Sequence, residues 1–115
     1  MASEPTIRER ISKIQRELRD GALTPDLTRE SLVVLTALLG NVGDELRIAD
    51  HEYKLILRSM LRSHDNANRA RIEAEVSDEY QRLRAAKDTE TLVIEMIRSC
   101  KVYLRSLDEE MRLSR

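Results

Sequence analysis

A chain of 115 residues has room for one domain and no more, and its residues are 36% charged and 41% apolar, with three Tyr and neither Phe nor Trp. That balance favours long helices with charged outer faces over a compact sheet. The net charge of −1 removes any global attraction to nucleic acid or acidic lipid. No apolar run approaches the roughly 18 residues of a membrane span.

Three helices are predicted, in one domain spanning residues 1–115. The first covers about 5–20. Thr6 with Glu9 fits a capping box, Pro5 suits a first turn, and Ile7, Ile11, Ile14 and Leu18 make one stripe. Gly21 is expected to end it in the left-handed conformation. The segment Gly21 to Thr24 forms the first turn, and Thr24 caps the next helix at Pro25.

The second helix, about 25–62, organises the chain. Leu32, Leu35, Leu39, Val42, Leu46, Ala49, Tyr53, Ile56 and Met60 follow one another in alternating steps of three and four. That is the seam of a long helix lying along another. Val33, Val34 and Leu38 widen the apolar arc of its first half, which implies a second neighbour there. Gly40 and Gly43 interrupt the helical propensity. Either the helix ends at Gly40 and restarts at Asp44, or it continues with two glycines that let a neighbouring backbone come close. The unbroken phase of the seam favours continuity.

Ser63 to Asn66 reads as a turn. Beyond it lies one long third helix, about 66–113, with a break at Lys87–Glu90 as the alternative. Its stripe takes in Ala70, Ile72, Ala74, Val76, Tyr80 and Leu83, then Ile97, Cys100, Leu104, Leu107 and Met111. Folding the chain about residue 65 places Tyr53 near Ser77. The fold class is therefore all-α: a long antiparallel, coiled-coil-like hairpin with a short N-terminal helix packed on one end. Small alanines along one end bury little area, so self-association into a homo-oligomer is expected.

Chemistry-bearing residues are sparse. His51 and His64 are too few and too scattered for a zinc site, so no metal or other cofactor is expected. Cys100 lies between Ile97 and Leu104 and reads as a small buried hydrophobe. Being single, it excludes an intrachain disulfide and suits a reducing compartment. The carboxylates fall off the seam, many with a cation four residues on, as in Asp50–Lys54 and Asp78–Arg82. No phosphate-cradling loop or nucleophile elbow is present, which argues against an enzyme. Arg58 and Arg62 share one helix face, and Arg98, Lys101 and Arg105 share another. Such spacing suits contacts to a partner or to phosphates, or simply flanks the core with snorkelling stems. The segment Met1–Arg10 lacks an apolar signal region, so no export and a cytoplasmic location are expected.

The run Glu52-Tyr53-Lys54, then Ala70 to Glu75, Tyr80 and Lys87, together with Ile97-Arg98-Ser99-Cys100-Lys101, Leu104-Arg105-Ser106-Leu107 and Glu110-Met111-Arg112, resembles small helical proteins encoded by tailed phages and prophages. The likeness covers about the C-terminal two-thirds, with Cys100 standing where such proteins would carry Leu. It implies a phage origin, an oligomeric helical build and the host cytoplasm as location, and it names no activity. The function expected is a non-catalytic interaction or assembly protein that binds a partner protein of unknown identity, without a membrane. The alternative is a nucleic-acid-binding accessory of phage replication or recombination that uses the Arg-rich faces.

Overall fold

The computed structural model describes residues 3–21 and 24–114. The start of the N-terminal segment, Met1 and Ala2, and the middle of the first turn, Ala22 and Leu23, lie outside the described residues. The chain forms four helices: α1 (Ile7–Asp20), α2 (Pro25–Ser63), α3 (Ala67–Glu75) and α4 (Asp78–Leu113). Among the described residues there is no strand. The fold is all-α, with a short N-terminal helix followed by a helical hairpin.

The helix starts follow from their caps. Thr6 Oγ1 accepts from the Glu9 amide at 3.1 Å, and Thr24 Oγ1 accepts from the Leu27 amide at 3.1 Å. Each hydroxyl satisfies one of the donors that a helix leaves free at its N-terminus. Gly21 does close α1, but its φ is −85° and ψ 139°, so the left-handed conformation expected there is not adopted. Glycine is needed for space instead: a Cβ at this position would stand 2.9 Å from the carbonyl oxygen of Glu17.

Helix α2 is continuous for 39 residues and passes through both Gly40 and Gly43. The glycines do not serve a close approach, because a Cβ at either would meet nothing within 4 Å.

Two compact units divide the chain: Met1–Asn41 with Thr91–Arg115, and Val42–Glu90. Both long helices run from one unit into the other, and the boundaries fall between the two glycines in α2 and after Glu90 in α4.

In the first unit, Ile11, Ile14, Leu35, Leu38, Val93 and Cys100 are buried, with Thr28 and Ser31 among them. The buried line of α2 here is Thr28, Ser31, Leu35 and Leu38, while Leu32 and Leu39 of the seam are half-buried. Thr28 can be buried because its Oγ1 donates to the Thr24 carbonyl at 2.8 Å, inside its own helix. The wide apolar arc is covered only in part, since Val33 is 70% exposed and Val34 45%.

In the second unit, α2 reverses through α3 and packs against the first half of α4 as a hairpin. Val42, Ala49, Ala70, Ala74 and Leu83 are buried. Asn66 caps α3, its Oδ1 accepting from the amides of Asn68 at 2.9 Å and Arg69 at 3.3 Å.

The single third helix expected over 66–113 is broken at Val76–Ser77, and the helix is unbroken through Lys87–Glu90. The Ser77 amide and hydroxyl both donate to the Ala74 carbonyl, at 3.2 and 2.6 Å, and the hydroxyl accepts from the Tyr80 amide at 3.2 Å. Ser77 thereby ends one helix and caps the next, ahead of Asp78 and Glu79 in the first turn of α4.

Phase makes this break necessary. Ala74 and Leu83 are both buried, yet nine residues at 3.6 per turn would set them on opposite sides of a continuous helix. Ile72 and Val76, placed in the stripe from sequence, face away from Ala70 and Ala74 and are 62% and 72% exposed; Met111 is also exposed.

Candidate functional site

The densest set of interacting polar and aromatic groups lies where α2 meets α4 in the second unit. Tyr53 and Tyr80 stack at a tilt of 47° with ring centroids 5.1 Å apart. The guanidinium of Arg84 lies 6.0 Å from the Tyr80 ring centroid. Arg82 reaches from α4 to Glu52 on α2 at 3.2 Å and holds Glu79 on its own helix at 3.8 Å. The Asp78–Arg82 pair expected from spacing gives way to these, because the Glu52 carboxylate is presented across the hairpin.

Tyr53, expected within a turn of Ser77, meets Tyr80 further along α4 inside that turn. The turn and the helix break together take up the intervening residues. The Tyr53 hydroxyl is held above its ordinary pKa, first by burial, then by the carboxylate of Glu75 and by Tyr80, with Arg71 opposing. The hydroxyl stays protonated near neutrality and for some way above it. The cluster fixes the pairing of α2 with α4: a ring pair and an ion pair across one interface set its register.

The residues read as a seam on α2 are all buried or half-buried, from Leu32, Leu35, Leu39 and Val42 through Leu46 and Ala49 to Tyr53, Ile56 and Met60. So are Ile97, Cys100, Leu104 and Leu107 on α4. Burial raises the pKa of the Cys100 thiol, which keeps it in the unreactive form. Thr28 and Ser31 belong to the core and were missed, since a hydroxyl carries no apolar signal; Leu38, read as part of the wide apolar arc of α2, is buried as well.

Among the described residues, no three His, Cys, Asp or Glu side chains converge in a way that could hold a metal ion. The five basic residues singled out as partner contacts are all exposed. Arg58 and Arg62 fall in the unit Val42–Glu90, whereas Arg98, Lys101 and Arg105 fall in the other. Arg98 is paired with Glu95 at 2.9 Å. Arg58, Arg62, Lys101 and Arg105 form no ion pair among the described residues.

Comparison with known protein families, curated proteins and solved structures found no match to this chain. No described helix is long and apolar enough to cross a membrane.

Proposed function

We propose that this chain is a non-catalytic helical interaction or assembly protein, phage-encoded, that binds a partner protein through charged helix faces and associates with itself. The observation that carries the reading is the character of the helix surfaces. Arg58, Arg62, Lys101 and Arg105 stand exposed without an ion-pair partner among the described residues, next to aliphatic side chains that are also bare, such as Leu61 at 46% and Val102 at 55%. Cations beside exposed apolar groups are the usual composition of a protein-docking surface. The well-packed groups of the chain, by contrast, are spent on holding helices together.

Affinity capture from the native host tests it, with wild-type protein beside a variant carrying Arg98→Glu, Lys101→Glu and Arg105→Glu. A protein retained by the wild type and lost from the variant is expected. Identical captures from both would overturn the assignment of that face.

The same exposed cations favour a second reading, an accessory protein of phage replication or recombination that contacts phosphates through Arg58, Arg62, Lys101 and Arg105, with Arg98, paired to Glu95, beside them. Titration of labelled single- and double-stranded DNA separates the two. Binding that falls steeply with salt supports the second reading, and no binding at low salt removes it.

A further inference from the structure

Helix α2 runs for 39 residues, yet its stretch from Ser31 to Gly43 holds no charged residue, in a chain that is 36% charged. The described ion pairs within α2 lie on either side of it, Asp26–Arg29 before and Asp44–Arg47 and Asp50–Lys54 after. No pair of opposite charges therefore braces these turns. Gly40 and Gly43 stand at the end of the stretch, and both are poor helix formers. The usual reasons for a glycine are absent: neither has a positive φ, neither lies in a turn, and a Cβ on either would meet nothing within 4 Å. What is left is their effect on the helix itself. They weaken it, and they open its backbone to water where Gly40 and Asn41 are exposed.

Two further observations fall at the same places in the chain. The division between the compact units comes after Asn41 in α2 and after Glu90 in α4. On α4, no side chain between Leu83 and Val93 is buried. Thr89, beside that division, donates its hydroxyl to the Ala85 carbonyl at 2.8 Å, and Thr36 on α2 donates to the Leu32 carbonyl at 2.7 Å. A hydroxyl bonded back to its own helix bends the helix rather than stiffening it.

We propose that α2 contains a built-in joint at Gly40–Gly43, where the backbone opens locally while the helical turns on either side stay formed. Helix α4 accompanies it by bending at Thr89 without breaking. The opening disturbs little packing. Leu35 and Leu38 are buried before the joint and Ala49 after it, and Val42 is the only buried side chain from Gly40 to Asp44. Few buried contacts and water-accessible backbone bonds are what make a segment open ahead of its surroundings. The inference concerns the chain itself and stands whether or not it captures a partner.

Residue-resolved hydrogen exchange on the full chain tests it. The amides of Asn41–Asp44 should be protected at least about tenfold less than those of Leu35, Leu38, Ala49 and Tyr53 on the same helix. Low urea should leave their exchange unchanged, because a local opening exposes little surface, while it speeds exchange at the four reference positions. A second measurement uses spin labels at Val33→Cys and Ile48→Cys in a Cys100→Ala background. Both labelled positions are exposed, and a straight helix sets them about 22 Å apart. Their distance distribution should be broad, and adding Gly40→Ala with Gly43→Ala should narrow it. Even protection through Asn41–Asp44 overturns the proposal, as does exchange there that follows urea like the rest of the helix. So does a distribution as narrow with the glycines as with the alanines.

Discussion

The two compact units solve the problem of helix packing with different materials. In Met1–Asn41 with Thr91–Arg115, three helices contribute branched and bulky side chains: Ile11, Ile14, Leu35, Leu38 and Val93. In Val42–Glu90, three of the buried positions are the alanines Ala49, Ala70 and Ala74, beside Val42 and Leu83, and the tilted Tyr53–Tyr80 pair and the Glu52–Arg82 bridge add to them. The first unit is held by the volume of its side chains. The second is held by close helix approach and by directional contacts at its edge. Alanine permits that approach but buries little area of its own, so the second unit depends more on fit than on amount of apolar surface.

That contrast predicts opposite sensitivities. Leu35→Ala in the first unit should lower stability by about 2–5 kcal/mol, because it removes a fully buried side chain and leaves a cavity. Denaturant titration measures the loss, and hydrogen exchange should show it concentrated in α1 and the first half of α2. In the second unit, enlargement is the damaging change. Ala74→Leu should cost about 1–3 kcal/mol by overfilling a site with no exposed surface, and it should blur the Tyr53 and Tyr80 signals in near-ultraviolet dichroism. A tolerated Ala74→Leu would mean that the second unit is loosely packed and the contrast is wrong.

A smaller change sharpens the comparison at the boundary between the units. Gly40→Ala and Gly43→Ala should each raise stability by up to about 1 kcal/mol, because both residues are helical and a Cβ at either meets nothing within 4 Å. Thermal melts of the two single variants and the double variant would show it.

The smallest effect is alkaline. The Cys100 thiol is raised above 9.0 and the Tyr53 hydroxyl above 10.0, so in both cases the folded chain holds its proton more tightly than the unfolded chain. Stability contributed by the protonated groups is complete below those ordinary values and is lost as pH climbs through and beyond them. Melting temperature should begin to fall above about pH 9, and Cys100→Ala should remove the first part of the pH-dependent decline, whatever it costs in packing.

How far the residues announce this fold differs from place to place. The caps at Thr6 and Thr24 and the continuity of α2 through its glycines were legible, because local chemistry and a long-range phase agreed. The two stretches suspected as breaks, Gly40–Asp44 and Lys87–Glu90, turned out to border the division between the units while the helices pass through. The true break was written in Ser77-Asp78-Glu79, a cap followed by acidic residues. It was masked because Ala70, Ile72, Ala74 and Val76 were grouped by their apolar character without asking whether they point the same way. Thr28 and Ser31 went unread for a different reason: a hydroxyl satisfied within its own helix is as easily buried as a methyl, and composition does not distinguish the two cases. The basic faces were legible as residues, and folding the chain about residue 65 already set Arg58 and Arg62 near the turn and Arg98, Lys101 and Arg105 toward the other end; only the boundary between the units depends on tertiary contacts.

The interruption at Val76–Ser77 also sets a rule for how this sequence can vary. Each residue of a helix turns its successor by about 100°. Because the helix is interrupted here, that rotation is not passed from α3 to α4, and each helix takes the phase that buries its own side chains, Ala70 and Ala74 on one and Leu83 on the other. A residue added at the junction can be taken up by the turn, as length changes in surface turns usually are. A residue added inside α4 between Tyr80 and Leu83 has no such release, and it would swing everything beyond it away from the side on which Tyr80 packs.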